Sequence, residues 1–393
     1  MTSSIVGFDF RPRTRVVFGL NTIGRLGELA RELNTHRALI VTDVHLVAAG
    51  HVGRACESLS EAGLHVTVFD GVRENPTTRD VNACVSVARS VGADILVGLG
   101  GGSSLDTAKG CNFLLTNGGR MQDYWGVGKA TKEMLPLIAV PTTAGTGSEC
   151  QSFALIADEE THNKMACGDP KAAPRIALLD PMLTVSQPRG VAACTGIDAI
   201  SHAVETAVTR KRNELSQLYS REAFRLTVNH LSVVLNDPDN VESRANMLLG
   251  AAYAGTAIEN SMLGAAHSMA NPLTAHFGVI HGQAVAMMLP HVVRFNSELA
   301  DARRSYAELA IYAGLCKPND AQDIAVAALV ESLEGALAAA RMPTTLAECG
   351  IDEGIVPQLA QEAASQWTAQ FNPRLVTAAD FESLYRGALT DAA

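Results

Sequence analysis

Short apolar runs recur along the first half of the chain, each closing on a polar or turn-forming residue. They are RALIVTD (37–43), LHVTVFD (64–70), ADILVGLG (93–100), LPLIAVP (135–141) and RIALLD (175–180). Near-continuous runs of this length fit strands buried on both faces, as in a parallel sheet. Between them lie amphipathic stretches. In TTRDVNACVSVARSVG (77–92), Val81, Val85, Ala88 and Val91 recur at helical spacing, Thr77 or Thr78 can cap the start, and Gly92 can end the helix. Strand, helix, strand, repeated, predicts a wound α/β domain with a parallel sheet.

After about Gln187 the strand pattern stops. SQPRG (186–190) is a cluster of helix and strand breakers, and the chain beyond it reads as helix after helix. The segment 242–270 reads as one long alanine-rich helix with His267 near its end, and 325–342 as a clearer amphipathic helix. Pro272 predicts that the chain leaves helical geometry at Asn271 and turns there. The expected organisation is an α/β dinucleotide-binding domain over residues 1–185 and an all-helical domain over 186–393. Chemistry on the helical half would face the loops of the sheet.

Composition narrows the class. With 393 residues, 47% hydrophobic and 18% charged, the chain is globular with a large core. A net charge of −10 with scattered lysines and arginines argues against nucleic acid as a partner. No run reaches membrane-spanning length without a charge or glycine, and the opening residues lack the apolar stretch of a signal peptide, so no membrane partner is expected. Eight dispersed cysteines without a C-x-x-C pair suit buried thiols in a reducing cytoplasm.

Two glycine- and hydroxyl-rich stretches suggest a nucleotide site. VGLGGGSSLDTAKG (97–110) follows a strand and opens a helix, so Gly100, Gly101, Gly102 and Ser103 can bring backbone amides close to a pyrophosphate. The usual G-x-G-x-x-G fingerprint does not fit, because Ser103 stands at its last glycine, and a plain tight turn is the alternative. AVPTTAGTGSE (139–149) ends another strand, and two such loops would share the ligand-binding edge of one sheet. Asp43, at the end of a strand, suits the hydroxyls of an adenosine ribose and would repel a 2′-phosphate, which favours NAD over NADP.

The histidines point to a metal. In GIDAISHAVETAVT (196–209), Asp198 and His202 lie four apart on one helix face. For that pair alone a structural hydrogen bond is the plainer reading. GAAHSMANPLTAHFGVIHGQA (264–284) adds His267 and His281, which a returning segment would bring together. One carboxylate and three imidazoles suit a divalent transition metal such as Fe²⁺ or Zn²⁺. Met262, Leu263, Met269 and Phe277 offer an apolar wall for a short alcohol, with plain core packing as the alternative for the methionines.

At this point the sequence resembles a known family. GGGSSLDTAK, PTTAGTGSE, GIDAISHAVE and AAHSMANPLTAHFGVIHG look like the signatures of the iron-containing (group III) alcohol dehydrogenases, with matches running from Phe18 to about Asn296. The resemblance implies a dehydroquinate synthase-like fold, with an N-terminal α/β dinucleotide domain, a C-terminal helical domain and a cleft between them. It implies Asp198, His202, His267 and His281 as metal ligands. It places Asp43, Asn75, Gly101, Gly102, Ser103, Asp106, Thr142, Thr143, Thr146 and Lys164 at cofactor-contacting positions. Phe153 stands where some members carry asparagine. Asn271 stands where many carry a histidine that relays a proton; asparagine cannot titrate near neutrality. His276 is the candidate substitute on the substrate side, with a packed or solvated ring as its alternative. Dimers or larger homo-oligomers are expected from the family.

The expected activity is reversible hydride transfer between NAD and a small alcohol or aldehyde (or ketone), with a Lewis-acidic iron on the substrate oxygen. A zinc-dependent polyol dehydrogenase of the glycerol type and a hydroxyacid–oxoacid oxidoreductase are alternatives on the same fold. A dehydroquinate synthase-type lyase would need a basic cluster that the helical half does not show. A nucleotide-binding protein without catalysis is the remote alternative.

Overall fold

The computed structural model describes residues 7–161 and 163–390; the first six residues of the amino-terminal stretch lie outside it. The described residues form two compact units, one spanning Arg11–Gln187 and the other running from Pro188 onward with residues 7–10.

The five apolar runs become strands of the first unit, which also holds strands that the apolar pattern does not mark. In chain order the strands are β1 (Arg15–Phe18), β2 (Arg37–Val41), β3 (His65–Phe69), β4 (Ile95–Gly100), β5 (Gly126–Val127), β6 (Leu137–Pro141), β7 (Phe153–Ala157), β8 (Lys164–Gly168) and β9 (Ile176–Leu179). Helices α1 (Leu26–Glu32), α2 (Val44–Ala48), α3 (His51–Glu61), α4 (Thr78–Val91) and α5 (Gly102–Asn117) connect them. Six strands form one parallel sheet in the order β1-β9-β6-β4-β2-β3. The inner strands β4, β6 and β9 are buried at every position, whereas the edge strands β1 and β3 are largely open. Alternate residues serve opposite faces. Leu39, Val41 and Leu96 pack with Val81, Val85 and Phe113 of α4 and α5. Ala38, Ile40 and Val97 pack with Leu26, Leu29, Ala55 and Leu59 of α1 and α3.

The sheet winds in two directions from β2, with β3 on one side and β4 on the other. Carboxyl ends of strands at such a reversal are where open α/β sheets take ligands. Helix α4 begins on Thr77, whose side chain and Asp80 form a capping box, and ends on Gly92 in the left-handed region. A smaller sheet, β5-β8-β7, was not legible in the apolar pattern. It joins a two-residue strand to the antiparallel pair β7–β8.

Below the β6 loop lies a buried polar cluster. Lys109 of α5 is fully buried and donates to Ser148 O (2.6 Å), Ser148 Oγ (2.7 Å) and Phe153 O (2.8 Å). Asp106 accepts from Ser148 Oγ (2.6 Å) and Leu155 N (3.2 Å). Beside it Glu149 is 1% exposed, and its Oε1 has no hydrogen-bond partner. Burial pushes the Glu149 carboxyl up to about 7, although its own backbone amide and Lys109 pull the other way.

The second unit is helical: α6 (Arg189–Thr206), α7 (Glu214–Asn236), α8 (Val241–Asn260), α9 (Ala265–Phe277), α10 (His281–Asn296), α11 (Ala300–Tyr312), α12 (Gln322–Ala340), α13 (Val356–Ser365) and α14 (Ala378–Gly387). Helix α6 is buried along most of its length and packs against α7, α8, α10 and α12. No helix among the described residues is long and apolar enough to cross a membrane.

Two expectations for this unit need correction. The alanine-rich segment is two helices, because α8 stops at Asn260. There Ser261 Oγ and Asn260 Nδ2 turn back onto the carbonyls of Ala257 and Thr256, and such local bonds compete with helix continuation. His267 therefore lies in the first turn of α9, not at the end of a long helix. Nor does the chain turn at Asn271. Helix α9 runs through Pro272 to Phe277 and turns at Gly278. Burial of Met269, Ala270, Pro272 and Leu273 outweighs the amide bond that the proline forfeits.

Gly282, in the first turn of α10, sits against the backbone of α6. A β-carbon there would lie 2.1 Å from Cys194 O. Gly282→Ala is therefore expected to destabilise the protein by about 2–3 kcal/mol in urea unfolding, because neither backbone can yield cheaply. Glu149 makes a pH-dependent prediction. The unfolded chain loses this proton near 4.5 and the folded one near 7, so the folded state binds more protons between these values and stability falls as pH rises through them. Glu149→Gln removes this loss. Its stability should match wild type near pH 4 and exceed it at pH 8 by an amount on the order of 3 kcal/mol.

Candidate metal centre and dinucleotide site

Helix α6 presents Asp198 and His202 one turn apart, 6% and 5% exposed. His202 Nε2 lies 3.4 Å from Asp198 Oδ1. The first turn of α9 delivers His267, whose Nε2 lies 3.4 Å from the same oxygen. The rings of His202 and His267 stack with centroids 4.9 Å apart. The first residue of α10 is His281, its ring centroid 5.4 Å from that of His267. Ligand-type atoms of Asp198, His267 and His281 all lie within 4.8 Å of one another. The close packing of Gly282 on α6 brings His281 to this point.

These residues fit a divalent cation. Asp198 Oδ1 and His267 Nε2 are buried and have no hydrogen-bond partner, a costly arrangement unless a ligand completes them. Burial would raise the Asp198 carboxyl, yet the surrounding His202, His267 and His281 rings hold it well below the usual carboxylate range. Burial would likewise lower His267, but Glu205 and Asp198 push it up to about 9. One carboxylate with three imidazoles is a donor set suited to Fe²⁺ or Zn²⁺.

His276 is not brought to this cluster. It lies nine residues beyond His267 on α9, roughly half a turn round the helix. Its Nε2 meets Glu362 Oε2 at 2.7 Å on the half-open surface. Asn271 is one turn from His267 and donates through Nδ2 to Gln366 Oε1 (2.9 Å). Met269 is fully buried and Met262 nearly so, which makes them core residues, while Leu263 and Phe277 are half-buried.

In the first unit the expected cofactor residues gather at the carboxyl edge of the sheet. Gly101 caps α5, and Gly101, Gly102 and Ser103 are half-buried at its amino end. Thr142 N donates to Gly100 O (3.0 Å), and a β-carbon on Gly102 would lie 2.7 Å from Thr146 Cγ2. The two loops therefore abut, with Thr143 and Thr146 half-buried and Thr142 buried. Asp43 caps α2 by accepting from His45 N and Leu46 N through Oδ1 (2.9 and 3.1 Å), and bridges to Gly71. Asn75 is exposed with φ of 52°. Two residues on, Thr77 bridges to Ala157, which pairs with Lys164 at the exposed start of β8.

Asp106, one of the expected cofactor residues, accepts from Ser148 Oγ through Oδ1 and from Leu155 N through Oδ2, and so braces that loop against β7. The ring of Phe153 lies across Gly168, where an added β-carbon would be 2.4 Å from it.

Sequence reasoning missed Glu205, Lys109, Glu149 and Asn372. Glu205 was within reach: Asp198, His202 and Glu205 fall at i, i+4 and i+7 on one face of α6.

Comparisons with known proteins identify the family. The family model described as iron-containing alcohol dehydrogenase matches residues 12–181. That of the Fe-containing alcohol dehydrogenase family, C-terminal, matches 192–389. The chain is 32% identical to the NAD-dependent methanol dehydrogenase of Bacillus methanolicus, covering 95% of this chain and 97% of that one. It is 32% identical to the 1,3-propanediol dehydrogenase of Klebsiella pneumoniae, covering 97% and 98%. Among solved structures, that of a 1,3-propanediol oxidoreductase superposes with a TM-score of 0.94 at 31% identity, over 98% of this chain and 100% of that one. The alcohol dehydrogenase from Oenococcus oeni gives 0.93 at 30% identity, over 97% and 100%. With both units matched by the family models and a parallel-sheet unit followed by a helical one, this chain belongs to the iron-containing alcohol dehydrogenase family.

Proposed function

We propose that the protein catalyses reversible hydride transfer between NAD and a small alcohol or aldehyde (or ketone), with Fe²⁺ held by Asp198, His202, His267 and His281. The observation that carries this reading is the convergence of buried Asp198 and His267 with half-buried His281, with His202 3.4 Å from the same Asp198 oxygen and Asp198 Oδ1 and His267 Nε2 left without hydrogen bonds. A cation held there supplies Lewis acidity to the substrate oxygen. The donor set accepts Zn²⁺ as well, and the family to which the chain belongs favours iron.

The remaining roles fall to the first unit. Amides at the amino end of α5, from Gly101 to Ser103, bind the pyrophosphate with the help of the helix dipole. Thr142, Thr143 and Thr146 add hydroxyls beside them. Asp106 and Lys109 hold that loop in place through Ser148. The second oxygen of Asp43 accepts from the adenosine ribose, Asn75 is a further cofactor contact, and Lys164 serves the nicotinamide ribose. Asn271 offers hydrogen bonds but no titrating proton one turn from His267. His276 is committed to Glu362, so the alcohol proton leaves by water and not through this ring. We read the assembly as a homodimer or larger homo-oligomer and the location as cytoplasmic, in keeping with eight cysteines in no disulfide.

After anaerobic Fe²⁺ reconstitution and desalting, wild type should retain about one metal per chain and His281→Ala none, with NADH formed from short alcohols only by wild type. Equal retention in both proteins, or none in either, would remove the metal assignment. Asp43→Asn should raise the NADP/NAD ratio of kcat/KM by about tenfold or more. His276→Ala should leave rate and pH profile unchanged; a lost limb in the profile would restore it as a relay.

A further inference from the structure

Glu205 lies on α6 one turn beyond His202, 3% exposed. Its Oε2 accepts from His267 Nδ1 (2.6 Å) and Gly264 N (3.1 Å), and its Oε1 accepts from Ala266 N (2.7 Å). An ionised carboxylate only accepts, so the facing Nδ1 carries the hydrogen and Nε2 is the nitrogen whose lone pair a cation beside Asp198 would take in place of a proton. Between the two amides that Glu205 receives, Ala265 N reaches Asn372 Oδ1 (3.4 Å). Asn372 is itself locked in a reciprocal amide pair with Asn296, at 2.8 and 3.1 Å. A β-carbon on Gly264 would press on both acceptors, 3.2 Å from Glu205 Oε1 and 3.1 Å from Asn372 Oδ1. The first turn of α9 thus carries His267 on an anchor that begins in α6.

We propose that Glu205 is a positioning residue for the metal centre, fixing the tautomer and aim of His267 so that its Nε2 is ready for the cation. The inference rests on the metal-binding reading above. A neutral acceptor could satisfy the two backbone amides. What the carboxylate adds is directed at the ring: it fixes the protonated nitrogen, makes the other a stronger donor, and brings a second negative charge to balance a divalent ion beside Asp198. Carboxylates in this relation to a metal-bound histidine typically govern metal affinity by about 10–100-fold.

The test is competition for Zn²⁺ against a chromophoric chelator, with NADH affinity and the melting temperature of the metal-free protein measured on the same samples. Asp198→Ala tests the underlying site and should abolish tight binding. Glu205→Gln should weaken Zn²⁺ by about tenfold or more while NADH affinity stays at the wild-type value. Gly264→Ala keeps the carboxylate but crowds it, and should weaken Zn²⁺ by a smaller factor, so the proposal remains testable if Glu205→Gln does not fold. Wild-type Zn²⁺ affinity in both variants, with only the melting temperature lowered, would reduce Glu205 to a helix-end acceptor and overturn the proposal. Wild type and Asp198→Ala binding equally, or neither binding, would instead bring down the metal site itself and this inference with it.

Discussion

A carboxylate withdrawn from water must be matched by positive charge or hydrogen bonds, and Asp198 is matched by three imidazoles from three helices. Much of the helical unit follows from assembling that match. Helix α6 is buried on Ala193, Ile197, Ala199, Ile200, Ala203 and Val204, and it takes the carboxylate inside with them. Helix α8 breaks after Asn260 so that α9 can start afresh with His267 in its first turn. Helix α10 approaches α6 closely enough at Gly282 to exclude even a methyl group, and so delivers His281. The centre is built on helix beginnings and on one buried helix face, which fixes side chains better than mobile loops do.

The first unit solves a different problem. A dinucleotide needs exposed backbone amides, yet the loops that offer them must not wander. Here they are held from below. Lys109 and Asp106 reach from the body of α5 to Ser148 and β7, so the glycine turn at one end of the helix and the hydroxyl loop after β6 become parts of one brace. A fully buried lysine is tolerated because its donors meet two carbonyls and a hydroxyl.

The legible parts of the molecule were those with local periodicity. Five apolar runs marked five strands of the parallel sheet, and the spacing of Asp198 and His202 placed both on one helix face. A returning chain brings His281 back, although packing around Leu273 carries α9 past Asn271, where the proline alone predicts the turn, to Phe277. β1 and β5 were hidden by their brevity and open surface. Asn372 left no local trace, since its contact with Ala265 spans 107 residues. Asp106 belongs to a legible motif, but its bonds to Ser148 and Leu155 span more than forty residues and left no local trace.

Asp43 bears on how cofactor preference can drift. One of its oxygens starts helix α2, a single short turn that follows β2 directly. Whatever replaces this residue in a descendant that uses a 2′-phosphorylated cofactor must therefore still begin a helix. Serine, threonine and asparagine do so without the charge, whereas an apolar or basic replacement would leave the turn frayed. With Asp43 on the ribose as proposed, selection on the nucleotide would be channelled through a few uncharged polar substitutions, because the same side chain also starts a helix.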